Sequence, residues 1–351
     1  VQPLIIDAEF DSKAGTTAPG GGGDGGNAGG VLPSLGGYYV HRLTERVRLG
    51  FSMTSYFGLG LDYDHDWVGR YYIQEGDFIT LFAGPSAAYR LNDWLSIGGS
   101  VGAVYGLFKA RTALPNIEPS AGDGRLKYKD GAFGVAGSVG LLFEPWKSAR
   151  FGLTYYSPVD LDFEDHPDLK GVGPGLQAIL DASGGAGRTL GLDFTLPQWV
   201  MVSAVYEPIG KLALMANANW QDWSEFGYID VNIESLTDRT INAHYKDTFQ
   251  VAVGGSYRVA TPWLLMAGFA YDSSPASTSS RSVALPLDQQ LRYALGVQYS
   301  WTKDLTLGLA YEFIDAGSAD INQSRPLAGT LVGDYSPNHI QVVNVNLIWR
   351  F

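Results

Sequence analysis

The chain closes on Val343, Asn344, Val345, Asn346, Leu347, Ile348, Trp349, Arg350 and Phe351. Val343, Val345, Leu347, Trp349 and Phe351 share one parity, and Asn344, Asn346 and Arg350 share the other, the period-two pattern of a strand with two unlike faces. The pattern repeats upstream. Leu305, Leu307, Leu309, Tyr311 and Phe313 alternate with Thr306, Gly308, Ala310 and Glu312. Leu291, Tyr293, Leu295, Val297, Tyr299 and Trp301 alternate with Arg292, Ala294, Gly296, Gln298 and Ser300. A β-sandwich would bury the apolar face in a core, whereas a membrane barrel turns it to lipid and lines its lumen with the small and polar face. Aromatic residues toward strand ends favour the barrel, as in Leu212, Leu214, Ala216, Ala218, Trp220 and in Phe249, Val251, Val253, Tyr257.

Composition agrees. Over 351 residues, charged side chains make up 17%, below the quarter expected of a soluble domain. The 20 Tyr, 16 Phe and 9 Trp exclude intrinsic disorder. No cysteine is present, which excludes a disulfide scaffold, a thiolate metal site and a Cys nucleophile. A net charge of -12 excludes nucleic acid as a partner, since phosphate binding needs a basic face. No apolar run is long enough for a transmembrane helix. Val1, Gln2, Pro3 and Leu4 do not open a signal peptide, so none is expected in this chain.

The connections give an independent test. Short turns fall near residues 43–45, 92–93, 145–148, 208–211, 260–263 and 301–304. Long links fall at residues 12–29, 64–75, 112–125, 164–187, 227–239, 273–281 and 323–337. Their alternation predicts an all-β fold: a transmembrane antiparallel barrel of about fourteen strands, with short periplasmic turns and long extracellular loops. One domain, residues 1–351, is expected. Pro85, Pro158, Pro197 and Pro286 must sit at bulges or bends, either as ordinary curvature or as a local gap in the wall.

Several segments are familiar together. Asp62-Tyr63-Asp64-His65-Asp66-Trp67-Val68-Gly69-Arg70-Tyr71, Asn219-Trp220-Gln221-Asp222-Trp223-Ser224-Glu225-Phe226, Tyr271-Asp272-Ser273-Ser274-Pro275 and Arg281-Ser282-Val283-Ala284-Leu285-Pro286 occur in that order. In this combination the chain resembles the FadL/TodX family, outer-membrane transporters of long-chain fatty acids and hydrophobic hydrocarbons in Gram-negative bacteria. The resemblance runs from about residue 1 to Phe351. It implies a fourteen-stranded barrel plugged by an N-terminal hatch, an apolar extracellular capture groove, an inner ligand site, and a kink in the third strand that opens the wall sideways. The family's Asn-Pro-Ala hatch segment has no counterpart before Val1, so the expectation is a truncated chain whose hatch steps cannot be read. Leu347, Trp349 and Phe351 also look like the membrane-insertion signal that the barrel-assembly machinery reads.

The third strand, residues 47–63, carries Leu49, Phe51, Met53, Phe57, Leu59 and Leu61 on one parity and Gly50, Ser52, Thr54, Gly58 and Gly60 on the other. Tyr56, Phe57, Gly58 and Gly60 match the place of the family's kink. Glycine there permits a lateral opening, or makes room for a lumenal plug. In the long link, Leu176, Ile179 and Leu180 have helical spacing in a loop that should face water. They form either a capture groove, with help from Leu114 and Ile117, or a loop core that closes the mouth.

A fatty-acid carboxylate in a narrow lumen needs a cation. By parity Lys246 and Arg292 face the lumen, near Gln250 and Gln298. Arg111 lies near the family's arginine at that site, while the family's lysine falls near Ile241 and is not reproduced. Arg239 is a substitute, unless the ligand is uncharged; ordinary lumenal or rim charge is the alternative for all of them. Asp62, Asp64 and Asp66 lack the glycine and distal glutamate of a calcium loop and read better as rim acids touching lipopolysaccharide through divalent cations. No metal or cofactor is expected. Gly184-Gly185-Ala186-Gly187-Arg188 lacks the ending of a phosphate loop, and the glycine run at residues 20–30 reads as flexible. His41, His65, His166, His244 and His339 are scattered, and no nucleophile elbow accompanies them.

The expected function is passive uptake of long-chain fatty acids or other hydrophobic compounds across the Gram-negative outer membrane, by a monomer in contact with bilayer and lipopolysaccharide. Enzyme activity is not expected. The rivals are a water-filled porin, an outer-membrane enzyme acting on lipids, and a structural or adhesion barrel.

Overall fold

Alternating apolar and small residues extend into long strands in a computed structural model that describes residues 1–118, 122–182, 187–234 and 239–351. Residues 184–186 of the second glycine run lie outside the described residues. The elements begin with β1 (Gln2–Ser12), β2 (Val31–Ser34), β3 (Gly36–Arg42), β4 (Val47–Asp62), β5 (Glu75–Arg90), β6 (Leu95–Leu114), β7 (Gly124–Trp146) and β8 (Ala149–Tyr156). They continue with β9 (Val159–Asp165), β10 (Asp168–Lys170), α1 (Pro174–Ala182), β11 (Leu190–Leu196), β12 (Trp199–Ile209), β13 (Leu212–Gln221), α2 (Trp223–Phe226), β14 (Tyr228–Ile233) and β15 (Arg239–Asn242). Last come β16 (Thr248–Ala260), β17 (Trp263–Asp272), β18 (Gln290–Ser300), β19 (Leu305–Asp315), β20 (Ile321–Arg325) and β21 (Gly329–Trp349).

Seventeen of these strands join one antiparallel sheet. It closes on itself: β21 pairs with β1, β1 with β2, and β3, which continues β2 after Leu35, pairs with β4. With β2 and β3 taken as one pass and the short flanking β10 and β20 set aside, the wall makes fourteen passes. The short turns fall where the sequence places them. The last long link does not: β20 pairs with β21 in a hairpin, Gln323 opposite Leu331, so the final strand starts at Gly329, inside the stretch read as loop. Its turn, Pro326 to Ala328, carries little apolar alternation and could not be told from the link around it.

Val345, Leu347 and Trp349 are exposed on β21, as are Leu307, Leu309 and Tyr311 on β19, while Thr306 is buried. The apolar parity therefore faces outward, as a lipid-facing wall requires. Trp94, Trp146 and Trp301 are exposed at the short-turn end, an aromatic girdle at one interface.

Four further strands form a second sheet in the order β15, β14, β11, β9. It is the continuation of the wall. Tyr156 pairs with Trp199 below, Val159 pairs with Leu196 above, and the register is unchanged across the break. Pro158 and Pro197 sit at that break on facing strands. Proline cannot donate to a ladder, so both strands leave the wall at one level and lean inward together. Pro85 stays inside β5 opposite Phe51, and Pro286 lies in the loop before β18.

Opposite this leaning sheet, loops build a separate cap. Trp67 is fully buried, stacks on Tyr63 at 3.9 Å and meets Phe10 edge-on at 5.8 Å. The first glycine run wraps around it: Val68 N–H donates to Gly23 O at 2.7 Å, and Asp64 N–H donates to Gly25 O at 3.0 Å. At Gly25 φ is +87°, and a Cβ there would stand 2.8 Å from that of Trp67. The run is therefore a fitted collar and not the flexible segment its composition suggests. Glycine is needed for the backbone angle and the close approach.

Candidate functional site

The site begins with an irregularity in β4. Ser55 opposes Leu81, but Phe57 opposes Thr80, so Tyr56 is an extra residue in a bulge. Thr80 is fully buried and its hydroxyl oxygen accepts the Phe57 N–H at 2.7 Å, which satisfies an amide the bulge would otherwise leave bare. A bulge also resets parity. Below it, Gly50, Ser52 and Thr54 face the lumen; above it, Phe57, Leu59 and Leu61 turn inward, and Gly58 and Gly60 take the outer parity. The single alternation read through the whole strand thus inverts at Tyr56.

Beside the bulge the wall loses its ladder. Ser55 N–H donates to Leu35 O at 3.0 Å, and the next bond toward β2 and its preceding loop is Asp62 N–H to Ala28 O at 2.8 Å. Among the described residues no strand pairing joins residues 56–61 to β2. At about 3.4 Å per residue the two bonds lie roughly 20 Å apart along the strand. Gly58 sits in this stretch, and a Cβ on it would stand 2.9 Å from Leu32 Cδ2.

Inside the wall at this level lies an aromatic throat. Tyr56, Phe82, Tyr156 and Trp199 ring the upper end of a lumenal cavity of about 820 Å³, with Tyr156 and Trp199 edge-on at 4.6 Å and Tyr56 6.0 Å from Trp199. Below the ring the lining is small: Gly50, Ser52, Ser86, Gly98, Ser100, Gly140 and Gly152. Arg48 is the one cation among the described lining residues, and it is turned to the Thr44 and Val47 carbonyls. Above the ring, the leaning sheet lays Phe163 and Phe194 against Phe78 and Phe108 from the wall, and Phe226 from α2 joins them. The side chains that close the mouth are thus aromatic and uncharged. Burial raises the Tyr245 hydroxyl, which flanks them, to about 12.

The outer face of the leaning sheet is acidic. Asp193 directly opposes Asp162 on one side and Asp230 on the other. Burial first, and then these two like charges, push its carboxyl above the ordinary aspartate range, although Asn232 donates to it at 2.7 Å.

The two loops suggested for capture do meet. Residues 174–182 form α1, and Glu118 and Asn116 from the other loop accept the Gly175 and Gly173 N–H groups. Ile179 is 54% exposed and Ile117 57%, so the pair presents an apolar surface to water; Leu176 and Leu180 are half-buried.

The suggested carboxylate partners are not gathered. Arg111 lies on the outer parity of β6, paired with Asp62 at 2.9 Å and Glu75 at 3.1 Å. Arg292 keeps its lumenal parity, but Asp272 at 2.8 Å and Glu312 at 3.8 Å already match its charge. Lys246 is not on a strand; it stands exposed in the loop before β16, with no ion pair among the described residues. Arg239 is exposed on β15. Phe351 is exposed at the end of the wall, its ring stacked 5.9 Å from Tyr39. Among the described residues no group of three metal-ligating side chains gathers.

Thr80, Leu32, Tyr156 and Trp199 were not singled out in the sequence. The leaning sheet had a signal: Val159, Leu161 and Phe163, and again Leu190, Leu192, Phe194 and Leu196, alternate with mostly polar residues on either side of the link at residues 164–187.

The sequence that builds this closed antiparallel barrel also matches a family model. Residues 5–351 fit the model of the outer membrane protein transport protein family (OMPP1/FadL/TodX). The chain belongs to that family. Among the FadL/TodX relatives, outer membrane protein P1 of Haemophilus influenzae is 27% identical over 360 residues, covering 92% of this chain and 76% of the relative. The long-chain fatty acid transport protein of Escherichia coli K12 is 26% identical over 326 residues, covering 82% and 71%. In structure, a Pseudomonas aeruginosa FadL homologue superposes with a TM-score of 0.89 at 21% identity, over 99% of this chain and 88% of that one. The Pseudomonas putida toluene transporter TodX superposes with a TM-score of 0.67 at 17% identity, over 99% and 89%. These likenesses share the barrel fold. As a FadL/TodX member the protein is an outer-membrane transport protein of Gram-negative type.

Proposed function

We propose that this protein takes up hydrophobic compounds passively, catching them on the apolar surface of α1 and Ile117, passing them through the aromatic throat, and releasing them sideways between Gly58 and Leu32. The observation that carries the reading is the unpaired stretch of β4 beside that throat. A bilayer leaves no water to satisfy bare backbone groups, so a break in the wall is tolerable only where it is buried in protein or lines a cavity, and this one borders the throat. The relatives named for long-chain fatty acids and for toluene supply the substrate classes.

Between these classes, the throat favours uncharged compounds such as aromatic hydrocarbons. An anion moved into the ring of Tyr56, Phe82, Tyr156 and Trp199 would find no cation among those four side chains, Arg48 lying below them in the cavity lining, and an unpaired buried charge is costly. Lys246 at the mouth gives a fatty acid a place to dock from water, so an acid would bind at the rim more readily than it crosses. The protein works without covalent chemistry, as a monomer, with residues 1–351 acting as one barrel and Leu347, Trp349 and Phe351 serving its insertion by the assembly machinery.

The test is uptake into proteoliposomes of a labelled aromatic hydrocarbon, a long-chain fatty acid and a hydrophilic sugar, each corrected for leakage through protein-free vesicles. Protein-dependent uptake of the hydrocarbon, slower uptake of the acid and none of the sugar support the reading. Equal passage of all three would mean a water-filled pore instead.

A further inference from the structure

Outward from Phe133, β7 changes character. Val139, Val135 and Phe133 face lipid, with Phe133 75% exposed, and the next outward positions are Gly131, Lys129, Lys127 and Arg125. On β6 the same ascent runs Tyr105, Leu107, Lys109, Arg111 and Ala113. On these two strands the outward positions above the apolar band hold five cations and no carboxylate. From Phe143 to Phe133 the strand rises roughly 25 Å at about 3.4 Å per residue and a tilt of about 40°, the full height of an apolar band. Lys129 then stands roughly 10 Å above it, at the depth of the outer leaflet's headgroups.

The ladder sets like charges directly against each other. Lys109 opposes Lys129, and Arg111 opposes Lys127, in consecutive pairs on one face. Directly opposed like charges weaken a strand pair. Acids occupy only the flanks. Glu75, Asp77 and Asp62 pair with Lys109 and Arg111 on one side. On the other, Asp168 opposes Lys127 but bridges to Lys170 at 3.0 Å, and Asp165 accepts the Lys129 backbone N–H. Arg125, Lys127 and Lys129 have no ion pair among the described residues. Burial, and then repulsion from Lys127 and Arg111, holds the Lys109 ammonium below the ordinary lysine range.

We infer that this basic ridge on β6 and β7 docks the phosphate groups of a phosphorylated glycolipid in the outer leaflet. Phosphate is the anion that lies at this height beside an outer-membrane wall. Two phosphates could sit between the opposed pairs and convert repulsion into charge-assisted hydrogen bonds. The acyl chains would then lie over Tyr105 and Phe133, whose rings touch at 4.9 Å. The protein's overall charge of -12 makes the ridge a local exception and not part of a basic surface.

Native mass spectrometry of the purified barrel, with divalent cations chelated, tests this using lipid A bisphosphate, dephosphorylated lipid A and inorganic phosphate as probes. Retention of the bisphosphate form over the dephosphorylated one is expected. The triple variant Arg125→Gln, Lys127→Gln, Lys129→Gln should lower that preference roughly a hundredfold, since each cation near an anionic surface weighs roughly fivefold. If the triple variant does not give the heat-shifted band of a folded barrel, Lys129→Gln alone should lower it roughly fivefold. Equal retention of both lipids, or a preference that survives the substitutions, overturns the inference. Displacement of lipid A by millimolar inorganic phosphate would make this a site for free phosphate and overturn it as well. Uptake of hydrocarbon should be unchanged in these variants, so the result is separable from the transport reading.

Discussion

If hydrophobic compounds leave through the wall at Gly58, a bond across the gap must stop them. The chain has no cysteine, so Leu32→Cys with Gly58→Cys creates a single possible disulfide. A Cβ on residue 58 would stand 2.9 Å from Leu32 Cδ2 and 4.0 Å from its Cγ, with Leu32 Cβ farther still, so β2 and β4 must draw together to reach the Cβ separation of about 3.8 Å that a disulfide needs. A milder version, Gly58→Val, crowds the same contact. Overpacking of this kind costs about 1–3 kcal/mol, and an exit step limited by parting Leu32 from residue 58 would slow roughly 5- to 150-fold. The disulfide removes the step altogether, so hydrocarbon uptake into proteoliposomes should fall to the protein-free leak when oxidised and return on reduction. Thiol labelling measures the crosslinked fraction, and the heat-shifted gel band confirms that the barrel is intact. Undiminished uptake at complete crosslinking would refute the lateral route.

Three further outcomes are expected. Thr80→Val keeps the shape but leaves the Phe57 N–H without its acceptor, costing about 1–3 kcal/mol, read as a lower midpoint of heat-induced band shift. Phe194→Ala, which loses ring contacts to Phe78, Phe163 and Phe226, should weaken the mouth closure by about 3 kcal/mol and admit a hydrophilic sugar that the parent excludes. Asp193 has its carboxyl raised in the folded state, so its contribution is fully present below the ordinary aspartate range and is lost as pH rises through the raised value. The leaning sheet should therefore resist proteolysis better in mild acid, and Asp193→Asn should hold that resistance at neutral pH; a variant no more resistant than the parent would count against the opposed-carboxylate argument.

The wall was legible because lipid enforces a strict period of two: Leu307, Leu309 and Tyr311 had to be apolar, and Thr306 and Gly308 had to be small or polar. Alternation of short and long connections then counted the passes. The third strand was legible only as far as Ser55. A bulge adds one residue without changing composition, and nothing in Tyr56-Phe57 announces that both rings point inward. That knowledge comes from Thr80, twenty-three residues on, which takes the spare amide. The prolines at 158 and 197 were marked as bends, yet only the pairing of Val159 with Leu196 reveals that they bend together and carry a sheet inward. Charge was the least legible feature. Parity put Arg292 in the lumen, but only its distances to Asp272 and Glu312 reveal that it is already matched.

Hydrophobic compounds are proposed to follow a path through an aromatic throat to a side exit. Crystals of the protein soaked with a brominated aromatic hydrocarbon would locate that path by the bromine's anomalous signal. Bromine is expected within the ring of Tyr56, Phe82, Tyr156 and Trp199 and again between Gly58 and Leu32. Bromine spread down the lumen past Ser100 and Gly140, with the Gly58 gap empty, would contradict it and point to passage straight through the barrel.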